Sequence, residues 1–193
     1  MNITGIPNSI IDNSEWMVKN DSSKSSFGIG SATKETDSSS DGKRIGIILV
    51  GQTVYMATYA DSSTPANPIV KVGDYEISVN DVNPENATEI EMFALLSYMD
   101  DTNQTNNKGI CSFGKMRAFS DLAEQNGICS GIKDEDAIYN KKQNWVDIIK
   151  SVKQIFLGNV ETYSQAIDCD NLLYAMSKAE KNENLTVSKC RNN

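Results

Sequence analysis

The spacing of apolar residues changes period along this chain, and each change marks a new kind of element. From Arg44 the sequence RIGIILVGQTVYMATYA is rich in β-branched and aromatic residues. It predicts two strands with Gly51–Gln52 as a turn or bulge. A polar break, DSSTPANP, carries Pro65 and Pro68. IVKVGDYEISVND then alternates about a Gly73–Asp74 turn and puts Ile69, Tyr75, Ile77 and Val79 on the inward face. Three or four antiparallel strands are expected over residues 44–80. Beyond them the period becomes helical. Asn83–Pro84 is a helix start, and Asn86 with Glu89 offers a capping box. Ile90 to Asp101 is apolar on most of its circumference, as a buried helix requires.

Three further helices are expected. Ser112 caps one that runs through Met116, Phe119, Leu122 and Ala123 to a stop at Gly127. Asp134 or Asp136 starts the next, with the stripe Ile138, Trp145, Ile149, Val152 and Phe156 and an end at Gly158–Asn159. The last spans about Val160 to Lys181, with Tyr163, Ile167, Leu173 and Met176 facing in and a polar, fraying end from Asn182. Strands followed by a run of helices predict an α+β fold, a small antiparallel sheet packed against about four helices over residues 84–181.

Ahead of Arg44 the pattern is lost. Residues 20–43 read NDSSKSSFGIGSATKETDSSSDGK, with Phe27 and Ile29 as the large apolar residues. Such a segment buries too little surface to offset its ordering entropy. Before it, Ile6, Ile10 and Met17, with Ile11 and Val18 more loosely, share one face of a short helix beside Trp16. The expected organisation is a disordered tail over residues 1–43 and a single globular domain over residues 44–193.

Charge and composition narrow the chemistry. The 193 residues carry a formal net charge of -8 and no histidine. An acidic surface repels phosphate backbones and anionic headgroups, so nucleic acid is not an expected partner. The missing histidine removes the commonest general base, the usual partner of a Ser or Cys nucleophile, and a common zinc ligand. Cys111, Cys129, Cys169 and Cys190 lack the close spacing of a metal knuckle or redox pair, and reduced thiols are the reading they favour. No bound metal or cofactor is expected. The first residues show no signal-peptide pattern, and no apolar run is long enough to span a bilayer.

The sharpest motif is Gly109-Ile110-Cys111-Ser112-Phe113-Gly114-Lys115, which matches the first seven positions of a phosphate-binding loop. Met116 stands where a Ser or Thr should hold magnesium, and a polar loop precedes it instead of a buried strand. Gly109, Gly114 and Lys115 are therefore rejected as a nucleotide site. Asp100, Asp101, Asn103, Thr105 and Asn107 alternate oxygens as a calcium loop does, but Asn106 and Ser112 occupy its glycine and acidic positions. Glu89, Glu91, Asp100 and Asp101 are the candidate carboxylates for acid–base work. Cys111, at a helix start that lowers thiol pKa, is the candidate nucleophile.

The opening MNITGIPNSI resembles the starts of bacterial proteins exported through flagellar-type channels. That resemblance implies an uncleaved, polar N-terminus and export; without it the cytoplasm is the default location. No nucleophile–base pair, metal cluster or intact phosphate loop can be assembled from these residues. The expected function is a non-enzymatic protein–protein interaction or accessory module of a bacterium, contacting its partner through the tail or an apolar patch. The alternatives are a carboxylate-dependent hydrolase and a small-molecule or cation-binding domain. A deep pocket with two converging carboxylates would favour the enzyme, and an exposed apolar patch the binding module.

Overall fold

The computed structural model describes residues 43–50, 53–105, 111–132 and 135–190, with residues 50, 135 and 180–190 described as backbone only. The expected tail with its apolar start, the Gly51–Gln52 turn and Gly109 lie outside the described residues. Four strands form one antiparallel sheet: β1 (Arg44–Val50), β2 (Thr53–Tyr59), β3 (Ile69–Val72) and β4 (Tyr75–Ser78). Their order is β1-β2-β3-β4, a simple meander. The β3–β4 turn puts Gly73 at φ 59°, a conformation that costs glycine little. The α+β expectation holds.

The inward face of the sheet departs from the alternation read in the sequence at Ile69, while Val79 is buried as expected. Tyr55 and Ala57 of β2 and Val70 and Val72 of β3 are buried. Ile69 and Ile77 are only partly buried, and Tyr75 is exposed. The pairing Val70↔Ile77 and Val72↔Tyr75 keeps Ile77 and Tyr75 on the same face as Val70 and Val72. There Ile77 packs against the core and Tyr75 is left exposed on the edge strand. Ile69, next to Val70 along β3, points to the opposite face. Tyr75 stacks instead on Tyr139, ring centroids 4.6 Å apart.

Helix α1 (Glu89–Asp101) lies against the sheet on one side and against α2 (Ser112–Gln125) and α3 (Glu135–Asn140) on the other. That double cover explains why it is apolar around most of its circumference. Its contact with β1 is close at Gly46, where a Cβ would meet Ser97 and come within 3.1 Å of Phe93. The N-cap is Thr88, not Asn86. Thr88 Oγ1 accepts from the Glu91 backbone N–H at 3.3 Å, and Glu91 Oε2 accepts from that of Thr88 at 2.6 Å. Asn83 instead accepts from the Glu85 N–H, closing a turn around Pro84.

The single long helix expected after Asp134 is two. α4 (Trp145–Leu157) follows α3 after a break. Between them Gln143 exchanges two backbone hydrogen bonds with Ala87. Trp145, 1% exposed, donates its indole N–H to the Ala87 carbonyl at 2.8 Å. Those bonds hold the chain extended ahead of α1, and Asn144 then caps α4 through the Asp147 N–H.

A 3-10 turn (Val160–Thr162) leads into α5 (Tyr163–Cys190), which extends past the expected end at Lys181. Its buried face is Ala166, Cys169, Leu172, Ala175, Met176 and Ala179, with Leu173 partly buried. These small residues let α5 pack closely on α4. Tyr163 and Ile167, expected to face in, are 58% and 50% exposed.

Candidate functional site

The four candidate carboxylates sit at opposite ends of α1, so the helix keeps them in two separate pairs. A helix of 13 residues is about 20 Å long at 1.5 Å per residue. Glu89 and Glu91 occupy its first turn, where negative charge favours the macrodipole. Glu91 completes the capping box, and Lys142 Nζ lies 3.6 Å from its second oxygen. Glu89 is 3% exposed. Arg117 Nε of α2 lies 3.3 Å from Glu89 Oε1, yet that oxygen accepts no hydrogen bond, so the attraction is that of a misaligned ion pair. Arg117 also donates to the Leu49 carbonyl of β1 at 3.2 Å. Desolvation raises the Glu89 pKa above the ordinary carboxylate value; Arg117 opposes the shift and Asp121 adds to it.

At the other end, Asp100 and Asp101 are bound into the structure. Asp100 accepts from the Ser112 backbone N–H at 2.8 Å, the Ser112 hydroxyl at 2.7 Å and the Thr105 hydroxyl at 2.5 Å. It thereby joins the end of α1 to the start of α2. Asp101 receives Lys43 Nζ at 2.5 Å and the Tyr59 hydroxyl at 2.9 Å. Desolvation pushes the Asp101 carboxyl upward, but these two hydrogen bonds and the Lys43 charge outweigh it and hold the pKa below the ordinary value. Burial and the same carboxylate raise that of Tyr59. Of the calcium-like run, Asn103 adopts φ 56° and Asn107 lies outside the described residues. Among the described residues, no group of three or more His, Cys, Asp or Glu side chains is placed to hold a metal ion.

Cys111, rather than Ser112, is the N-cap of α2, its sulfur accepting from the Gly114 N–H at 3.4 Å. Desolvation raises the thiol pKa, Asp100 adds to the rise, and the Gly114 bond only partly opposes it. The thiol is therefore less acidic than its position at a helix start implied. Lys115 reaches across to Asp168 of α5 at 2.8 Å, an ion pair that ties α2 to α5. An open depression of about 370 Å³ is lined by Cys129, Lys141, Lys142, Gln143 and Asp147 among others. Lys141 there donates to the carbonyls of Ser130 and Gly131. The depression holds one carboxylate, Asp147, and not a converging pair.

A row of large apolar residues on α5 includes Tyr163 and Ile167, which the sequence pattern placed in the interior. Val160, Tyr163, Ile167 and Tyr174 are 92%, 58%, 50% and 64% exposed. Steps of three, four and seven residues put them on one side of α5 and the turn before it, away from the buried Cys169–Leu172–Met176 side. Three charged groups near this row have partners within the chain. Asp168 pairs with Lys115, and Asp170 with Lys153 at 2.6 Å. Lys178 donates to the Gln104 carbonyl at 3.3 Å and stands 4.6 Å from the centre of the Tyr174 ring. A row of exposed aromatic and aliphatic side chains is a surface suited to another apolar surface. Two sequence signals carried it: the spacing of Tyr163, Ile167 and Tyr174, and a competing stripe of smaller residues that fills the interior. No helix among the described residues is long and apolar enough to cross a membrane. No protein-family model, curated protein or solved structure matches this chain.

Proposed function

We propose that this protein is a non-enzymatic interaction module that binds another protein surface through the outer face of α5. The observation that carries the reading is the exposed row Val160, Tyr163, Ile167 and Tyr174. Aromatic residues dominate binding hot spots because they offer large rigid area at little entropic cost. The carboxylates add support. Asp100, Asp101 and Glu91 are engaged in caps and pairs, and Glu89 is enclosed beside Arg117. Asp101 held by Lys43 and Tyr59 is a poor acceptor for a substrate proton.

The test compares wild-type protein with Ile167→Asp in affinity capture from its native cell. The expected result is one or more proteins recovered with the wild type and lost with the variant, while both melt alike. Equal recovery with the two proteins refutes the reading. Turnover of a small-molecule substrate, stopped by Glu89→Gln or Asp101→Asn, replaces it with the carboxylate hydrolase.

A further inference from the structure

We infer that the partner covering the outer face of α5 is a second copy of this chain, packed antiparallel on the first; this rests on the binding reading above and names its occupant.

Area is the first argument. With aromatic side chains of about 150–250 Å², the exposed fractions of Val160, Tyr163, Ile167 and Tyr174 leave a row on the order of 500 Å², near the top of the range for the largest patch of a monomer. Two such rows face to face remove about 1,000 Å² before any polar rim is counted, which reaches the lower limit of a specific interface.

Symmetry is the second. A twofold contact needs a surface that complements itself, so that position i meets j while j meets i. Ile167 and Tyr174 lie three residues before and four residues after Asp170. An antiparallel crossing near Asp170 therefore brings Ile167 of each copy to Tyr174 of the other. The same crossing brings Tyr163 toward Lys178 of the second copy, a cation beside an aromatic face. α5 has 28 residues and is about 42 Å long at 1.5 Å per residue, ample for such a crossing.

Charge is the third. Association of two chains of net charge -8 is opposed at long range. At the contact itself the opposition is reduced, because Asp168 and Asp170 are paired within their own chain with Lys115 and Lys153. A charge left buried without a partner at such a contact is strongly unfavourable.

The experiment is sedimentation velocity of the full chain over a concentration series centred on about 10 μM, a range in which a standard-sized interface is populated. Wild type is expected to sediment as a dimer that dissociates on dilution. Ile167→Asp places a carboxylate on both sides of the axis and is expected to weaken association at least about a hundredfold. Tyr174→Ser, which adds no charge, is expected to weaken it as well. Ile128→Asp, at an exposed apolar residue outside α5, is expected to leave the dimer intact. Circular dichroism of every variant verifies folding. A wild type that stays monomeric throughout overturns the inference, and so does a dimer that survives both α5 substitutions. A monomer that still captures another protein through Ile167 overturns the second copy as occupant while the binding reading stands. A monomer whose capture ignores Ile167 overturns both.

Discussion

Replacing Asp100 separates a structural carboxylate from a catalytic one. Acceptor bonds from Asp100 to the Ser112 N–H and hydroxyl and to the Thr105 hydroxyl join the end of α1 to the first turn of α2. Ser112 is 1% exposed, so in Asp100→Ala its two polar groups lose this acceptor where water enters poorly. Depriving a buried group of a partner costs about 1–3 kcal/mol, and losing a helix cap about 0.5–2 kcal/mol. These overlap, and a total of about 3 kcal/mol is expected. In a domain of this size each kcal/mol lowers Tm by about 2–4 °C, so Asp100→Ala should melt about 6–12 °C below wild type. Asp100→Asn keeps an amide oxygen in place of the carboxylate and should lose only about a third of that. Thermal melts followed by far-ultraviolet circular dichroism measure both. An Asp100→Ala protein melting within about 2 °C of wild type, less than one kcal/mol, would refute the cap and leave Asp100 available for chemistry.

Three other perturbations have equally definite outcomes. Gly46→Ala sets a methyl against Ser97 and Phe93 and should cost about 1–3 kcal/mol in urea denaturation, with partial recovery in the Gly46→Ala/Ser97→Gly pair. The pKa of Glu89 is raised by folding, so the native state binds its proton more tightly than the unfolded chain, and its contribution to stability falls as pH rises through the window above about 4.3. Urea titrations should therefore show wild type losing stability relative to Glu89→Gln across that window; a pH-independent difference refutes the assignment. Burial, with Asp168 and Asp170 adding to it, pushes the Cys169 thiol up to about 12. Peptide mass analysis after alkylation near pH 8 should find Cys169 unmodified in the folded protein and modified after unfolding, whereas exposed Cys111 reacts in both.

The sequence by itself determined the class of fold and the order of its elements. Hydrophobic period is a local property, and the switch from period 2 before Asn80 to helical spacing after Pro84 is written in adjacent residues. The apolar character of Ile90 to Asp101 around most of its circumference likewise marks a buried helix. Tertiary structure decided which face each element presents and which polar group meets which. Val70 and Val72 face in, and Ile69 does not, because register with β4 sets Val70 beside Ile77 and Val72 beside Tyr75 on the face that meets α1. The helix expected through Lys141 breaks because Gln143 bonds to Ala87, 56 positions earlier in the chain. Only folding brings Ser112, Lys43, Tyr59 and Arg117 to Asp100, Asp101 and Glu89, which the sequence offered as candidate carboxylates without partners in reach. On α5 both stripes are legible, one large and aromatic and one small. The small one faces α4 because Ala166, Ala175 and Ala179 permit close approach, and that choice left Tyr163, Ile167 and Tyr174 at the surface. Helical spacing says which residues share a side; only the neighbouring helix decides which side is inside.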